Sequence, residues 1–151
     1  MTSAHVTDDL ADWSAWRPMS EAPVAAPSAP GVYMARQRVS SEVVYVGMAG
    51  ERSGRGLRGR LSVYLSGKAA VSGLGEAAMD RALADADWLT QMLEEARAGT
   101  PSRTRIWAAQ ALARADLEVR WAICGDRAEA IALERLALVR LRNCELWNRA
   151  R

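Results

Sequence analysis

The chain has few of the residues on which many enzymes depend: of its 151 residues, one is histidine, two are cysteine and none is phenylalanine. The single histidine, His5, lies near the N-terminus. A Ser-His-Asp triad, a Cys-His dyad and a His/Cys zinc site are therefore not expected. Cys124 and Cys144 are too few for a disulfide framework and are not in CxxC spacing. Any chemistry must rely on carboxylates, tyrosines, arginines or lysines.

The sequence also has no recognisable targeting segment or membrane span. Its first residues, MTSAHVTDDLADW, are acidic and lack the basic region and apolar run of a signal peptide. The longest apolar stretches are far shorter than a membrane-spanning helix. We therefore expect a cytoplasmic protein without a membrane partner.

Positive charge is modest in sum but concentrated in one segment. The formal net charge is +2 and the pI is near 8.8, yet four arginines lie within nine residues: Arg52, Arg55, Arg58 and Arg60. For a nucleic-acid binder the distribution of charge matters more than its total. Because such a run is more often a solvated surface, it does not by itself establish a binding site.

The pattern of prolines and apolar residues predicts one α+β domain after an N-terminal arm. Four prolines at positions 18 to 30 impose an irregular path, so residues 1–29 are interpreted as the arm. Strands are predicted at 32–36, 42–48 and 117–123, and helices at 57–65, 76–98, 100–115 and from the cap Asp126 to about Arg142. Residues 30–151 are expected to form a small three-stranded antiparallel sheet flanked by helices. A helical insertion at about 67–116 separates the first core helix from the third strand.

Two tyrosines are predicted to share one face of the first hairpin. If its turn centres near Val39, Tyr33 and Tyr45 lie directly opposite each other on neighbouring strands. Tyrosines on paired strands are more often core residues with satisfied hydroxyls than catalytic groups. The pair alone therefore favours a structural interpretation.

Arg60 and Glu134 are charged residues at the border of apolar helix faces. Arg60 shares a helical stripe with Tyr64, and it must either extend to solvent or meet an anion. Glu134 has apolar residues at all its i±3 and i±4 positions, which is costly unless the carboxylate is paired or binds a metal. Glu129 lies at the helix start, where an acidic residue is simply favourable. Glu134 is therefore the more informative of the two glutamates.

Taken together, these segments resemble the GIY-YIG nuclease family, and most of all the nuclease module of the bacterial excision-repair protein UvrC. Gly31-Val32-Tyr33 followed by Tyr45-Val46-Gly47 looks like the paired signature of the family. LRGRLSVY at 57–64 is similar to its first helix, and EAIALERLALVRL at 129–141 to its late, metal-binding helix. The resemblance covers residues 31–66 and 117–148, and its specificity comes from the order of the motifs.

The resemblance implies a DNA endonuclease that uses one Mg²⁺ or Mn²⁺ ion, and it assigns a role to each matching residue. Tyr33 matches the tyrosine proposed as general base or water-positioning group, and Tyr45 the one that orients the scissile phosphate. Arg60 matches the arginine that stabilises the phosphate, Tyr64 its helical neighbour, and Glu134 the single metal ligand. These groups are expected to border one cavity, and a Glu134 carboxyl on the far side of the sheet from Arg60 would argue against hydrolysis.

Further contacts to DNA are expected from residues around this site. They are Gly47, Arg52, Arg55, Arg58 and Asn148, the last of which falls where the family has an asparagine that closes the core. One departure is Met48, because many members have a lysine directly after the second glycine. Arg52, Arg55 or Arg58 can supply the missing charge.

Three interpretations remain open at this stage. The first is an endonuclease, and the second is a catalytically reduced DNA-binding module on the same scaffold, which Met48 suggests. The third is an adaptor whose insertion helices bind a protein partner. For the insertion itself, completion of the core or packing in a homodimer is favoured over reading of DNA. For Trp13 and Trp16, packing onto the core is favoured over stacking on unpaired bases.

Overall fold

The computed structural model describes residues 3–51, 55–99 and 103–149. The chain has an α+β architecture and forms two compact units. The first unit combines Met1–Ser62 with Asp116–Arg151, and the second is the contiguous segment Val63–Ala115. The second unit covers nearly the same segment as the predicted insertion.

The first unit is built on a four-stranded antiparallel sheet with the strand order β1-β4-β2-β3. The strands are β1 Arg17–Pro18, β2 Gly31–Gln37, β3 Val43–Ala49 and β4 Leu117–Ile123. The three predicted strands are confirmed, but the predicted number of three is wrong for the described residues. The additional strand, β1, comes from the segment interpreted as an arm and pairs with β4. Two residues that include a proline give no periodic strand signal, so pattern reading missed it.

The helices confirm most of the predicted elements and correct one of them. They are α1 Ala22–Ala25, α2 Gly56–Leu65, α3 Gly73–Leu83, α4 Ala86–Arg97, α5 Thr104–Arg114 and α6 Arg127–Arg140, after a 3-10 helix at Ser3–Thr7. The single helix predicted at 76–98 is two helices, because Asp85 ends the first and caps the second. Its carboxyl accepts hydrogen bonds from the backbone N–H groups of Asp87 and Trp88 at 3.0 and 3.3 Å. The helix start predicted at 100–101 lies outside the described residues.

The predicted cap of the last helix is confirmed. Oδ1 of Asp126 accepts from the backbone N–H of Glu129 at 2.8 Å, and Oε2 of Glu129 accepts from the N–H of Gly125 at 2.6 Å. This reciprocal arrangement satisfies two N–H groups at the start of α6. Glu129 is therefore a capping residue, as its position at the helix start indicates.

The N-terminal segment is packed into the first unit. Arg120 of β4 is only 6% exposed, and its guanidinium lies 4.8 Å from the ring centroid of Trp13 and 4.8 Å from that of Trp16. The same guanidinium donates to Oδ1 of Asp8 and to Oγ1 of Thr7, at 2.7 Å in each case. Trp13 and Trp16 also pack against the core beneath the sheet, so the packing interpretation of the two tryptophans is confirmed.

The second unit is a small helical unit with its own core. Ala82, Trp88, Met92 and Ala111 are buried, and Met79 and Trp107 pack against them. The rings of Trp88 and Trp107 meet edge to face, with centroids 5.6 Å apart. An ion pair of 2.8 Å between Asp85 and Arg114 links the start of α4 to the end of α5.

None of the helices in the described part of the chain is both long enough and apolar enough to cross a membrane.

Candidate active site

The first hairpin has a register that differs from the prediction. Tyr33 pairs with Gly47, and Tyr45 pairs with Ala35, so the two tyrosines are diagonal neighbours rather than direct partners. Two causes add up: the loop occupies 38–41, with Ser41 at a φ of 59°, and a β-bulge between Ala35 and Arg36 shifts the register once more. Both tyrosines still project from the same face, as predicted, because side chains alternate along a strand.

The two tyrosine rings form one stacked pair above a glycine. The ring centroids of Tyr33 and Tyr45 are 6.2 Å apart, and the ring planes differ by 24°. A Cβ atom on Gly47 would overlap the ring and hydroxyl of Tyr33. Tyr33 is 1% exposed, whereas Tyr45 is half-buried. Gly47 is therefore required so that the Tyr33 ring can lie across β3 beneath the more accessible Tyr45.

The helix that carries Glu134 packs against the other side of the sheet. Val32, Met34 and Val46 form the face opposite the tyrosines, and this face packs against Ala130 and Ala137 of α6 and against Leu141, which directly follows α6. Glu134 lies on the same inward stripe of α6 and is half-buried. The helix that carries Glu134 and the two tyrosines are thus on opposite faces. The expectation that Glu134, Arg60 and the tyrosines border one cavity stays a prediction, and it depends on where the Glu134 carboxyl lies.

The outer edge of β3 is where the two sides of the sheet can meet. β3 is the last strand in the sheet order, and α6 packs against β3 and β2. Tyr45 belongs to this edge strand and is partly accessible.

Arg60 belongs to the tyrosine side of the sheet. Leu57, at the start of α2, packs where a Cβ atom of Gly31 would point, and Gly31 has the same orientation on β2 as Tyr33. Arg60 lies one turn further along α2 and is half-buried, with its Nε atom below the solvent-accessible surface. An arginine whose side chain is partly buried on this face is well suited to hold an anion by two parallel hydrogen bonds.

Asn148 closes the outer edge of β3. Its Nδ2 donates to the carbonyl of Val46 at 2.7 Å, and its Oδ1 accepts from the N–H of Val46 at 3.1 Å. Two residues earlier along β3, the carbonyl of Val44 accepts from the N–H of Trp147 at 2.6 Å. The amide thus takes the place of a neighbouring strand directly between Tyr45 and Gly47. This structural role is observed, whereas a contact of Asn148 with DNA stays a prediction.

Tyr64 lies in the second unit. It is 2% exposed, and its hydroxyl accepts a hydrogen bond from the backbone N–H of Leu74 at 3.3 Å. This contact ties the end of α2 to the start of α3. Its predicted part in catalysis stays a prediction.

The arginines predicted to bind DNA differ in their surroundings. Arg58 donates from Nε to the carbonyl of Ala26 at 2.8 Å and from a terminal nitrogen to that of Val24 at 3.2 Å, so it satisfies carbonyls at the end of α1. Arg55 is exposed just before α2. Arg52 lies outside the described residues. Of the two that are described, Arg55 has the side chain better placed to meet a solvent-borne phosphate.

Met48 does not project from the tyrosine face. It alternates with Gly47 on β3 and packs against the core between the sheet and α6. A longer basic side chain at this position would thus begin on the side of Glu134. The absence of a lysine removes a charge from that side rather than from the tyrosine face.

The described residues contain no group of three or more histidine, cysteine or acidic side chains that is able to hold a metal ion. The predicted ion needs only one protein ligand. Mg²⁺ and Mn²⁺ suit such a site because they accept oxygen ligands and keep bound waters. Glu134 fits this requirement, because it is half-buried and its neighbours Ala130 and Ala137 are small.

No protein-family model matches this chain, and neither a curated protein nor a solved structure is significantly similar to it. The likeness to the GIY-YIG nucleases therefore depends on the short motifs and on the local structure of the residues that form them.

Proposed function

We propose that this protein is a cytoplasmic DNA endonuclease of the GIY-YIG type, which hydrolyses phosphodiester bonds with one Mg²⁺ or Mn²⁺ ion. The observation that carries the proposal is the tyrosine pair. Tyr33 and Tyr45 stack with ring centroids 6.2 Å apart, above a glycine that no other residue can replace without displacing Tyr33. The tyrosine of the first motif and the glycine of the second thus depend on each other for packing. Motifs that occurred by chance would not need to pack against each other in this way.

The exposure of the two rings supports roles that differ from those expected from the sequence. A general base must reach the water whose proton it accepts. Tyr45 is half-buried at the edge of the sheet, whereas Tyr33 is 1% exposed beneath it. Tyr45 is therefore assigned as the base, and Tyr33 holds the Tyr45 ring in position. Since a free tyrosine has a pKa of about 10, a nearby cation is needed to favour its phenolate at neutral pH.

Arg60 and Glu134 complete the proposed site around Tyr45. Arg60, on the tyrosine side, binds a non-bridging phosphate oxygen with a charge that persists at every working pH. Glu134, on the α6 side, holds the divalent ion through one carboxylate. When bound, such an ion neutralises phosphate charge and lowers the pKa of its water. The scissile phosphate is proposed to lie beside the Tyr45 ring, between Arg60 and the ion held by Glu134.

Cleavage of labelled DNA by the purified full chain tests this function. The substrates are single-stranded, double-stranded and branched DNA, each incubated with Mg²⁺, with Mn²⁺ or with EDTA. Metal-dependent nicking is expected, and Glu134→Gln and Arg60→Gln should each lower its rate roughly 100-fold or more. The matched controls are Glu145→Gln and Arg135→Gln, which change exposed residues of the same types and should leave the rate within about twofold.

Circular dichroism and the unfolding midpoint of each variant show whether the fold is retained. Undiminished cleavage by folded Glu134→Gln or Arg60→Gln protein would overturn the site. Cleavage that EDTA does not affect would overturn the part given to the metal.

A second function is favoured by one observation. Because α6 and the tyrosines lie on opposite faces of the sheet, the scaffold can also bind DNA without assembling all the groups for hydrolysis. In that case the wild-type chain binds labelled DNA with an affinity that falls steeply as salt increases, and no cleavage accompanies binding. Absence of both binding and cleavage would reject the two functions together.

A further inference from the structure

The second unit presents an apolar surface that its own core does not use. Helix α4 buries only a narrow stripe, formed by Trp88 and Met92. About 100° around the helix lies a second stripe, which we call the α4 seam: Ala86, Leu89, Leu93 and Ala96. Leu89 is 38% exposed and Leu93 is 49% exposed, and both alanines are exposed. The seam has the i, i+3, i+7, i+10 spacing by which one helix packs against another.

The order of residues in the α4 seam is symmetric about Gln91. The two leucines lie two positions on either side of it, and the two alanines lie five positions on either side. When two such helices pack antiparallel about a twofold axis at this level, leucine meets leucine and alanine meets alanine. A twofold interface requires such a self-complementary surface. We infer that the α4 seam binds the α4 seam of a second copy of this chain in antiparallel orientation.

The charges of α4 permit this pairing. The helix is acidic, which would oppose self-association if its carboxylates bordered the seam. Asp87, Glu94 and Glu95 all project more than about 100° away from the seam. Asp85 is already held by the ion pair with Arg114. Antiparallel packing also brings opposite ends of the two helix dipoles together, which is favourable.

The short length of the α4 seam limits the area that the dimer interface can bury. Twelve residues of helix extend about 18 Å, and one helix per copy buries less than the roughly 1,200 Å² of a stable interface. The association is therefore weak and depends on concentration. It rests on the second unit alone and is independent of any nuclease activity, so the experiments below use no DNA.

Sedimentation velocity of the full chain, from micromolar to millimolar concentration, tests the association. The weight-average mass should rise from the 16.4 kDa of one chain toward twice that value. Leu93→Glu should weaken dimerisation at least roughly tenfold, because it places a charge in the seam of each copy. The matched control is Leu136→Glu, which alters a leucine of α6 that is 54% exposed and should leave the association unchanged.

A mass that stays monomeric at every concentration would overturn the inference. So would an association that Leu93→Glu leaves intact, or one that Leu136→Glu abolishes in its place.

Disulfide cross-linking tests the orientation. In a background in which Cys124 and Cys144 are replaced by alanine, Ala86→Cys and Ala96→Cys are prepared as separate proteins and oxidised. In the antiparallel arrangement position 86 faces position 96 of the other copy, so the cross-linked dimer should form in the mixture and not from either protein alone. Efficient cross-linking of each protein with itself would indicate parallel helices and contradict the proposed geometry. Circular dichroism of each variant establishes that the second unit is still folded.

Discussion

The ring of Tyr33 covers Gly47, its partner across the hairpin, at the place where any other residue would carry a side chain. This relationship makes the glycine a requirement of packing and not of backbone conformation, since Gly47 lies within β3 and its φ is not positive.

Gly47→Ala should therefore destabilise the protein. The added methyl group must displace the buried Tyr33 ring, at a cost of about 1–3 kcal/mol in the free energy of unfolding. Gly50→Ala is the matched control, because a Cβ atom there meets only the side chain of Arg127, at an ordinary contact distance of 3.5 Å. Urea unfolding of both variants measures the difference, and equal stabilities would contradict the packing described for Tyr33.

The two tyrosine hydroxyls should be unequal in catalysis. Tyr45→Phe removes the proposed base and should lower the DNA cleavage rate roughly 100-fold or more, whereas Tyr33→Phe keeps the stacked ring and should lower it less. Single-turnover cleavage with saturating protein separates this effect from weaker binding. A larger loss from Tyr33→Phe than from Tyr45→Phe would restore the roles that were expected from the sequence.

Asn148→Ala should weaken the edge of β3. Both hydrogen bonds to the backbone of Val46 are lost, and each is worth about 1 kcal/mol net, so a loss of about 1–2 kcal/mol is expected. Asn143→Ala alters an exposed asparagine of the same chain and should change stability by less than about 0.5 kcal/mol. Hydrogen exchange of the Val46 amide offers a local readout. A residue that served only to contact DNA would leave both measurements unchanged.

Replacement of Arg55 should affect DNA binding, whereas replacement of Arg58 should affect the stability of the fold. Arg58→Ala leaves carbonyls at the end of α1 without a donor and should lower the unfolding midpoint, while Arg55→Ala, at an exposed position, should not. Arg55→Ala should in turn weaken DNA binding and reduce the slope of log affinity against log salt by roughly one phosphate contact. A loss of DNA affinity confined to Arg58→Ala would reverse this assignment.

The pairing of Asp8 with Arg120 predicts a dependence of stability on pH. The Arg120 guanidinium, which donates to Oδ1 of Asp8, holds the pKa of that carboxyl below its usual value. A lowered pKa in the folded state stabilises the protein above the unfolded pKa of about 3.9, and this contribution is lost as the pH falls through the folded value. Asp8→Asn should therefore cost about 1 kcal/mol at pH 7, a small amount because Asp8 is 48% exposed.

That cost should shrink below about pH 4, where the wild-type carboxyl also becomes protonated. Unfolding in urea at several pH values from 7 to 3 measures it, with Asp12→Asn, an exposed aspartate of the same segment, as the control. A difference that is constant over this range would show that the charge of Asp8 has no part in it.

The sequence predicts the long periodic elements well. The alternation of apolar residues locates β2, β3 and β4 to within a residue, and Asp126 marks the start of α6. It fails where a local feature interrupts a continuing pattern. Asp85 divides a stretch whose apolar spacing reads as one helix, and the bulge at Ala35 changes the register without any signature residue.

The candidate site is harder to predict, because it depends on which face each element packs against. Periodicity shows that Tyr33 and Tyr45 share a face, yet it does not say on which side of the sheet α6 lies. The crossing from β4 to α6 decides this. The same crossing packs α6 against the face opposite the tyrosines, a relation that spacing along the chain does not contain.

The discontinuous first unit also has a consequence for synthesis on the ribosome. Its central strands, β2 and β4, come from early and late parts of the chain, and Arg120 of β4 anchors the N-terminal segment between Trp13 and Trp16. A nascent chain can thus complete its contiguous helical unit before the sheet exists. Until β4 has emerged, the hairpin lacks its neighbouring strand and the N-terminal segment lacks Arg120, so the nascent protein is most prone to aggregation during this interval.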